Sequence, residues 1–276
     1  MPSLELYNAA TIRAPARLFD PQGGWASTPL KVRWGFMELP GWGVTLIDTG
    51  YGPGCYGRPT NASAARQSKS LGLRLYTTLF RATLREEGQL GAVLAAKGLT
   101  PQDVQTVIVT HLHADHISEL RTLSRARFLG SRQALETVKR AGWRGPLAHG
   151  SFLELLPEDY SDRLDAIEDR PRVSLPLGLG QGWEVVPDAV SLVPLAGHAA
   201  GHVGVFLHDA ATLYAVDAHW VLSALSHSAP LSGLQRQIAS DVAAAEESLA
   251  RLRAFERAGG QTLFCHDPTD TPFDVA

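Results

Sequence analysis

The segment Thr110-His111-Leu112-His113-Ala114-Asp115-His116 places four metal-capable side chains within six residues. Imidazoles and a carboxylate at this density are costly to bury unpaired, and a divalent cation satisfies several of them together. In an extended segment His111 and His113 project to the same side and can grip one ion. Asp115 and His116 follow as the chain turns and can reach a second ion beside the first. The chemistry open to such a centre is hydrolysis: bound ions bring the pKa of water toward neutrality and polarise a carbonyl or phosphoryl oxygen. The sequence contains no Gly-x-Ser-x-Gly, so no serine nucleophile elbow competes with this reading. The bland alternative is a solvated, histidine-rich turn that binds nothing.

The elements that must position these residues can be read outward from them. The motif follows Val104-Gln105-Thr106-Val107-Ile108-Val109, whose β-branched residues and length suit a buried strand. It therefore falls at a strand's C-terminal end, where side chains converge without disturbing the core. Further strands are expected at residues 4–12, 30–39, 44–47, 184–186, 191–195, 203–207 and 212–216, with a Pro40-Gly41/Gly43 hairpin between the second and third. Helices are expected over 70–84, with Leu71, Leu75 and Leu79 on one face, over 90–97 closed by Gly98, over 131–139 from Ser131 to a stop at Gly142, and over 241–258. Residues 51–66, rich in Gly, Pro, Ser and Asn, read as a loop. The whole stretch 51–98 exceeds a minimal connection, so it is either a lid or pocket wall, or a surface or dimerisation helix. Residues 143–172, with Trp143, Phe152 and Tyr160, form a second wall or simply pack outside the core.

A chain of 276 residues that is 45% hydrophobic suits one large α/β domain over residues 1–276, with the helical insertion at about 51–98. A net charge of −3 argues against nucleic acid and anionic membrane as partners. No apolar run reaches the roughly 18 residues of a membrane-spanning helix. The first residues lack a basic segment followed by an apolar core, so no secretory signal is expected. Two cysteines, Cys55 and Cys265, are too few for a disulfide framework and suit a reducing compartment, so the expected location is cytoplasmic. Strand alternation is expected to point Cys265 away from whatever His266 faces.

The His-x-His-x-Asp-His cluster after an apolar strand resembles the signature of the metallo-β-lactamase superfamily. Four further blocks resemble that family in order: Val44-Thr45-Leu46-Ile47-Asp48-Thr49-Gly50, Ala196-Gly197-His198-Ala199-Ala200-Gly201-His202, Tyr214-Ala215-Val216-Asp217 and Leu263-Phe264-Cys265-His266-Asp267. The resemblance implies a four-layer αβ/βα sandwich with metals at one edge of two sheets. It implies two divalent ions, zinc first, with manganese, iron or cobalt as alternatives. By position, His111, His113 and His198 would hold one ion, Asp115, His116 and His266 the other, and Asp217 both. A hydroxide shared by the ions would be the nucleophile, and Asp115 would pass a proton to the leaving group. His202 and Asp48 would support the ligands rather than bind metal.

A bridging Asp217 departs from true β-lactamases of the superfamily, and the ten residues given after His266 depart from the pattern of glyoxalase II, so neither activity is the first expectation. The pattern is most similar to N-acyl homoserine lactonases, which implies a small-molecule lactone or ester as substrate. Those enzymes carry a tyrosine three residues after the bridging aspartate; here the residue is Trp220, expected to line an acyl or ring-binding surface or to pack as core. Alternatives are a thioester hydrolase of glyoxalase II type, an iron-dependent redox member, and a non-catalytic metal-binding protein. A homodimer is a further expectation.

Overall fold

Period-two alternation in three consecutive strands sets up the architecture. From β10 (Val190–Pro194), β11 (Val203–Leu207) and β12 (Thr212–Val216), the residues Val190, Leu192, Val203, Val205, Tyr214 and Val216 enter one core. Their neighbours Val193, Phe206, Leu213 and Ala215 enter another on the opposite face. The computed structural model describes residues 3–57, 70–141, 150–226 and 230–275.

These strands belong to a six-stranded sheet in the order β13-β12-β11-β10-β9-β8, completed by β8 (Arg172–Leu175), β9 (Gly180–Val186) and β13 (Gln261–Phe264). A seven-stranded sheet runs β4-β1-β2-β3-β5-β6-β7. Its antiparallel part is β1 (Glu5–Pro15), β2 (Ser27–Leu39), β3 (Gly43–Ile47) and the two-residue β4 (Thr83–Leu84). Its parallel part joins β3 to β5 (Thr106–Ile108), β6 (Arg127–Gly130) and β7 (Leu164–Ala166).

The two sheets face each other across one core, in which Leu6, Met37, Ile47, Ile108 and Leu129 meet Leu192, Val205, Tyr214 and Val216. Outside the first sheet, Val93 and Leu94 of helix Leu90–Ala96 and Leu135 of helix Arg132–Ala141 pack on Trp34, Val107 and Phe128. Outside the second, helix Val242–Arg257 lays Ala245, Leu249, Leu252 and Phe255 on Val193, Phe206 and Leu213. Those four positions follow helical spacing, and the Asp241 side chain caps the helix by accepting from the Ala244 N–H at 3.1 Å. Full burial of each larger side chain contributes about 1.5–3 kcal/mol. Helix, sheet, sheet, helix is the four-layer αβ/βα sandwich that the motifs imply.

The helix expected over 70–84 stops at Leu79, because residues 83–84 leave it to pair with Ala10 and Thr11 on the sheet edge. Its leucine stripe faces outward: Leu71, Leu75 and Leu79 are exposed, and Leu73 is buried instead. Within the expected loop 51–66, Pro53–Tyr56 forms one helical turn. The Gly142 stop and Trp143 lie outside the described residues. No helix among the described residues is long and apolar enough to cross a membrane.

Candidate metal centre

Four chain segments deliver the polar residues to one end of the sheet pair. After β5, Thr110 leads into His111 and His113, and His113 precedes the short helix Ala114–Ile117 that carries Asp115 and His116. His198 lies in the loop between β10 and β11. Gly197 before it has φ +117°, and a Cβ there would sit 2.1 Å from the Ala245 nitrogen, so only glycine lets the loop approach the helix. Asp217 follows β12 directly after Val216, a buried β-branched residue at φ +53°. Such a conformation costs about 1–3 kcal/mol and persists where surrounding structure enforces it. Here it aims the next side chain, the carboxylate of Asp217. His266 follows β13.

The ligand atoms of His111, His113, His198 and Asp217 all lie within 4.8 Å of one another. Those of His116, Asp217, Cys265 and His266 form a second such group, so Asp217 belongs to both. Its Oδ2 is 3.4 Å from His198 Nε2, 3.2 Å from His266 Nε2 and 3.6 Å from His116 Nε2. Asp115 Oδ2 sits 3.3 Å from His266 Nε2 and 3.5 Å from His116 Nε2. All seven residues singled out by the sequence therefore come together. Cys265 corrects an expectation: its sulfur approaches the second group rather than pointing away, because β13 has ended at Phe264 and alternation no longer applies. Its S–H donates to the Arg33 carbonyl at 3.3 Å.

Surrounding hydrogen bonds fix the rings. The buried Asp48 carboxylate accepts from the Thr110 N–H (2.9 Å) and hydroxyl (2.7 Å) and pairs with His116 Nδ1 at 2.7 Å. Because the Thr110 hydroxyl donates to Asp48, its oxygen accepts from His111 Nδ1 at 3.1 Å, which leaves His111 Nε2 bare. His266 Nδ1 donates to the Lys31 carbonyl at 2.7 Å. His202 is different: Nδ1 donates to the Leu195 carbonyl at 2.8 Å, and Nε2 accepts from the Asp217 N–H at 3.3 Å. Both its nitrogens are engaged with backbone. His111 Nε2, His116 Nε2 and Asp217 Oδ1 are buried with no hydrogen-bond partner among the described residues. Buried polar atoms left without a hydrogen bond and gathered at one point suit a cation.

Burial, followed by the charges of neighbouring histidines, holds His111 well below the usual histidine range. Burial likewise lowers His198 well below that range and His113 to about 4. Burial opposes charge on His116 and His266 too, but carboxylates outweigh it: Asp115, Asp217 and Asp48 raise His116, and Asp217 raises His266, both well above that range. Asp115 and Asp217 are held below the carboxylate range, burial being outweighed by His116 and His266.

The sequence pattern of the metallo-beta-lactamase superfamily matches residues 28–258. The chain belongs to that superfamily. It is 27% identical over 197 residues to the N-acyl homoserine lactonase AttM of Azorhizobium caulinodans, covering 68% of each chain. In fold it is similar to a variant of B. thuringiensis AiiA with N-decanoyl-L-homoserine bound at the active site (TM-score 0.69, 19% identity, 96% of this chain and 92% of that one). It is also similar to AidC, a dizinc quorum-quenching lactonase in complex with a product (TM-score 0.62, 13% identity, 99% and 92% coverage).

Two features beside the centre bear on the pocket. Trp220 has its ring 5.5 Å from that of His266, packs toward Phe19 and buries an indole nitrogen with no hydrogen-bond partner among the described residues. Tyr51 and Tyr76, from the 51–98 stretch, join their hydroxyls at 2.7 Å. The sequence reading passed over both tyrosines. The position of Tyr51 directly after Asp48-Thr49-Gly50 was the available signal.

Proposed function

We propose that the chain is a dinuclear metal-dependent hydrolase of carboxylic esters or lactones, with N-acyl homoserine lactone-like compounds as the leading substrate class. Hydrolase chemistry accords with its superfamily and its curated relative. The observation that carries the dinuclear assignment is the shared carboxylate Asp217, central to two ligand groups and flanked by the orphaned nitrogens His111 Nε2 and His116 Nε2. His111, His113 and His198 would hold one ion, Asp115, His116 and His266 the other, and Asp217 both. Zinc is the proposed ion. Bound ions would supply Lewis acidity and a lowered pKa for water.

The chain's own groups do the rest. Asp48, Thr110 and the Lys31 carbonyl hold the rings at fixed orientation. Asp115, held as a carboxylate, can accept a proton at an oxygen facing the centre and return it to the leaving oxygen. Trp220 offers an apolar face beside His266 for an acyl or ring portion.

Metal analysis together with a panel of acyl lactones, esters and thioesters tests the proposal. About two ions per chain and lactone or ester turnover are expected. Less than one ion after gentle purification defeats the dinuclear assignment. Activity confined to thioesters moves the substrate class, and oxygen uptake with thiol persulfides moves the reaction to redox chemistry.

A further inference from the structure

Tyr76 projects from helix Leu71–Leu79 toward the metal centre. Its ring packs edge-on against Phe152 at 5.0 Å and tilts against Phe80 at 4.8 Å. A Cβ placed on Gly150 would lie 3.9 Å from both the Tyr76 hydroxyl and His113 Cδ2. The phenol and a ligand histidine thus face the same gap, and the residue between them has no side chain to fill it. Tyr51 reaches the Tyr76 hydroxyl from the other side. Its backbone carbonyl accepts from Gln89 Nε2 at 3.1 Å, and three residues earlier Asp48 grips His116. The third tyrosine of the group, Tyr56, directs its hydroxyl to the Phe80 carbonyl.

Two phenols carry two O–H groups, and their mutual bond uses one. With Tyr51 donating to Tyr76, the Tyr76 proton remains for a ligand. Burial, then the neighbouring phenol and the Asp115 charge, push Tyr51 well above the usual tyrosine range; burial and the same charge do so for Tyr76. Both therefore stay protonated donors. Trp220, by contrast, stands at the His266 side of the centre and offers a single N–H.

We propose that the Tyr51–Tyr76 hydroxyl pair binds the acyl oxygen of the substrate, with Tyr76 donating to it and Tyr51 holding Tyr76 in place. This inference rests on the hydrolase proposal and names the group that recognises its substrate. A donor aimed at an oxygen that gains charge in the transition state acts chiefly on kcat.

The test uses the metal-loaded full chain with the best substrate of the lactone and ester panel. Tyr76→Phe keeps the ring on Phe152 and removes only the hydroxyl. It should lower kcat roughly 100-fold and raise KM by no more than the ~3- to 10-fold of one lost hydrogen bond, with metal content and Tm near wild type. Tyr51→Phe, acting through Tyr76, should lower kcat by about 3- to 10-fold. Wild-type kcat/KM in Tyr76→Phe overturns the inference and leaves the hydrolase proposal standing. A loss of Tm or metal in Tyr76→Phe that accounts for the whole fall in rate also overturns it, since the role would then be structural. Calorimetric titration of N-hexanoyl-L-homoserine reads the contact without turnover: Kd should weaken by about 3- to 10-fold in Tyr76→Phe, and equal affinity counts against the pair. A wild-type chain that holds two ions yet neither hydrolyses nor binds any panel member defeats both proposals.

Discussion

The two halves of the candidate centre both draw on the 111–116 motif but differ in charge. In the first, the rings of His111, His113 and His198 pack edge to face at centroid separations of 4.5–5.0 Å, and burial holds all three below the usual histidine range. They present neutral nitrogens that are ready to bind an ion. In the second, His116 and His266 stand against Asp115 and Asp217, and the carboxylates raise both histidines well above the usual range. That half sets carboxylates against its histidines, and an ion bound there would have to displace their protons. The difference teaches how one chain could make two adjoining candidate cation sites unequal: the carboxylates near each histidine set whether its nitrogen is neutral or charged before any ion would bind.

Asp217 is the only residue shared by the two ligand groups among the described residues, so its loss should erase the comparison altogether. Asp217→Ala is expected to drop metal content from about two ions per chain to below one and to abolish turnover, as read by elemental analysis and assay. Retention of two ions at normal rate would remove Asp217 from the centre. Within the first half, His198→Ala should lose its ion. His202→Ala, whose nitrogens bond only to backbone, should weaken metal affinity by about 10–100-fold. Equal metal loss in both variants would make His202 a ligand and break the assignment of the first half.

The charge difference gives the next effect. Near pH 7 the first half should load without releasing protons, because His111, His113 and His198 are already neutral. The second should release about two protons, one each from His116 and His266. Affinity of the second half therefore falls as pH falls. That of the first holds until the pH nears the value of about 4 at which His113 takes up a proton. Titration calorimetry in buffers of different ionisation enthalpy counts the protons; equal release from the two halves would show that they do not differ.

Much of this was legible beforehand. The expected strands 203–207 and 212–216 coincide with β11 and β12, because each alternates apolar residues into two cores. Of the seven residues that converge, His111, His113, Asp115 and His116 were legible from their density after a strand, and His198, Asp217 and His266 from the resemblance of their blocks to the metallo-β-lactamase superfamily. Strands β6, β7 and β8 were not read: at three or four residues, with Arg127, Asp165 and Arg172 among them, they carry no period long enough to recognise. Helix 71–79 was overextended because nothing local marks Phe80 as its end; the pairing of residues 83–84 with β1 is a long-range event. The direction of Cys265 failed for a related reason. Alternation is a rule for strands, and the strand stops one residue earlier.

The smallest expected effect concerns what lies beyond the ligands. Trp220 stands at the second half only, 5.5 Å from the His266 ring, in a cluster with Phe19, Leu30, Val221 and Ala224. It is partly buried, so packing and substrate contact are both open to it. If its exposed face receives an acyl chain, Trp220→Ala should raise KM for long-chain substrates by several-fold, about the effect of one or two methylene contacts at ~0.8 kcal/mol each. KM for short-chain substrates, kcat and metal content should stay near wild type. A ring that only packs gives another pattern: Tm falls, and KM changes alike for every chain length. Chain-length series measured on wild type and variant separate the two. A flat series would confine Trp220 to the Phe19 cluster and leave the pocket to the tyrosines beside the first half.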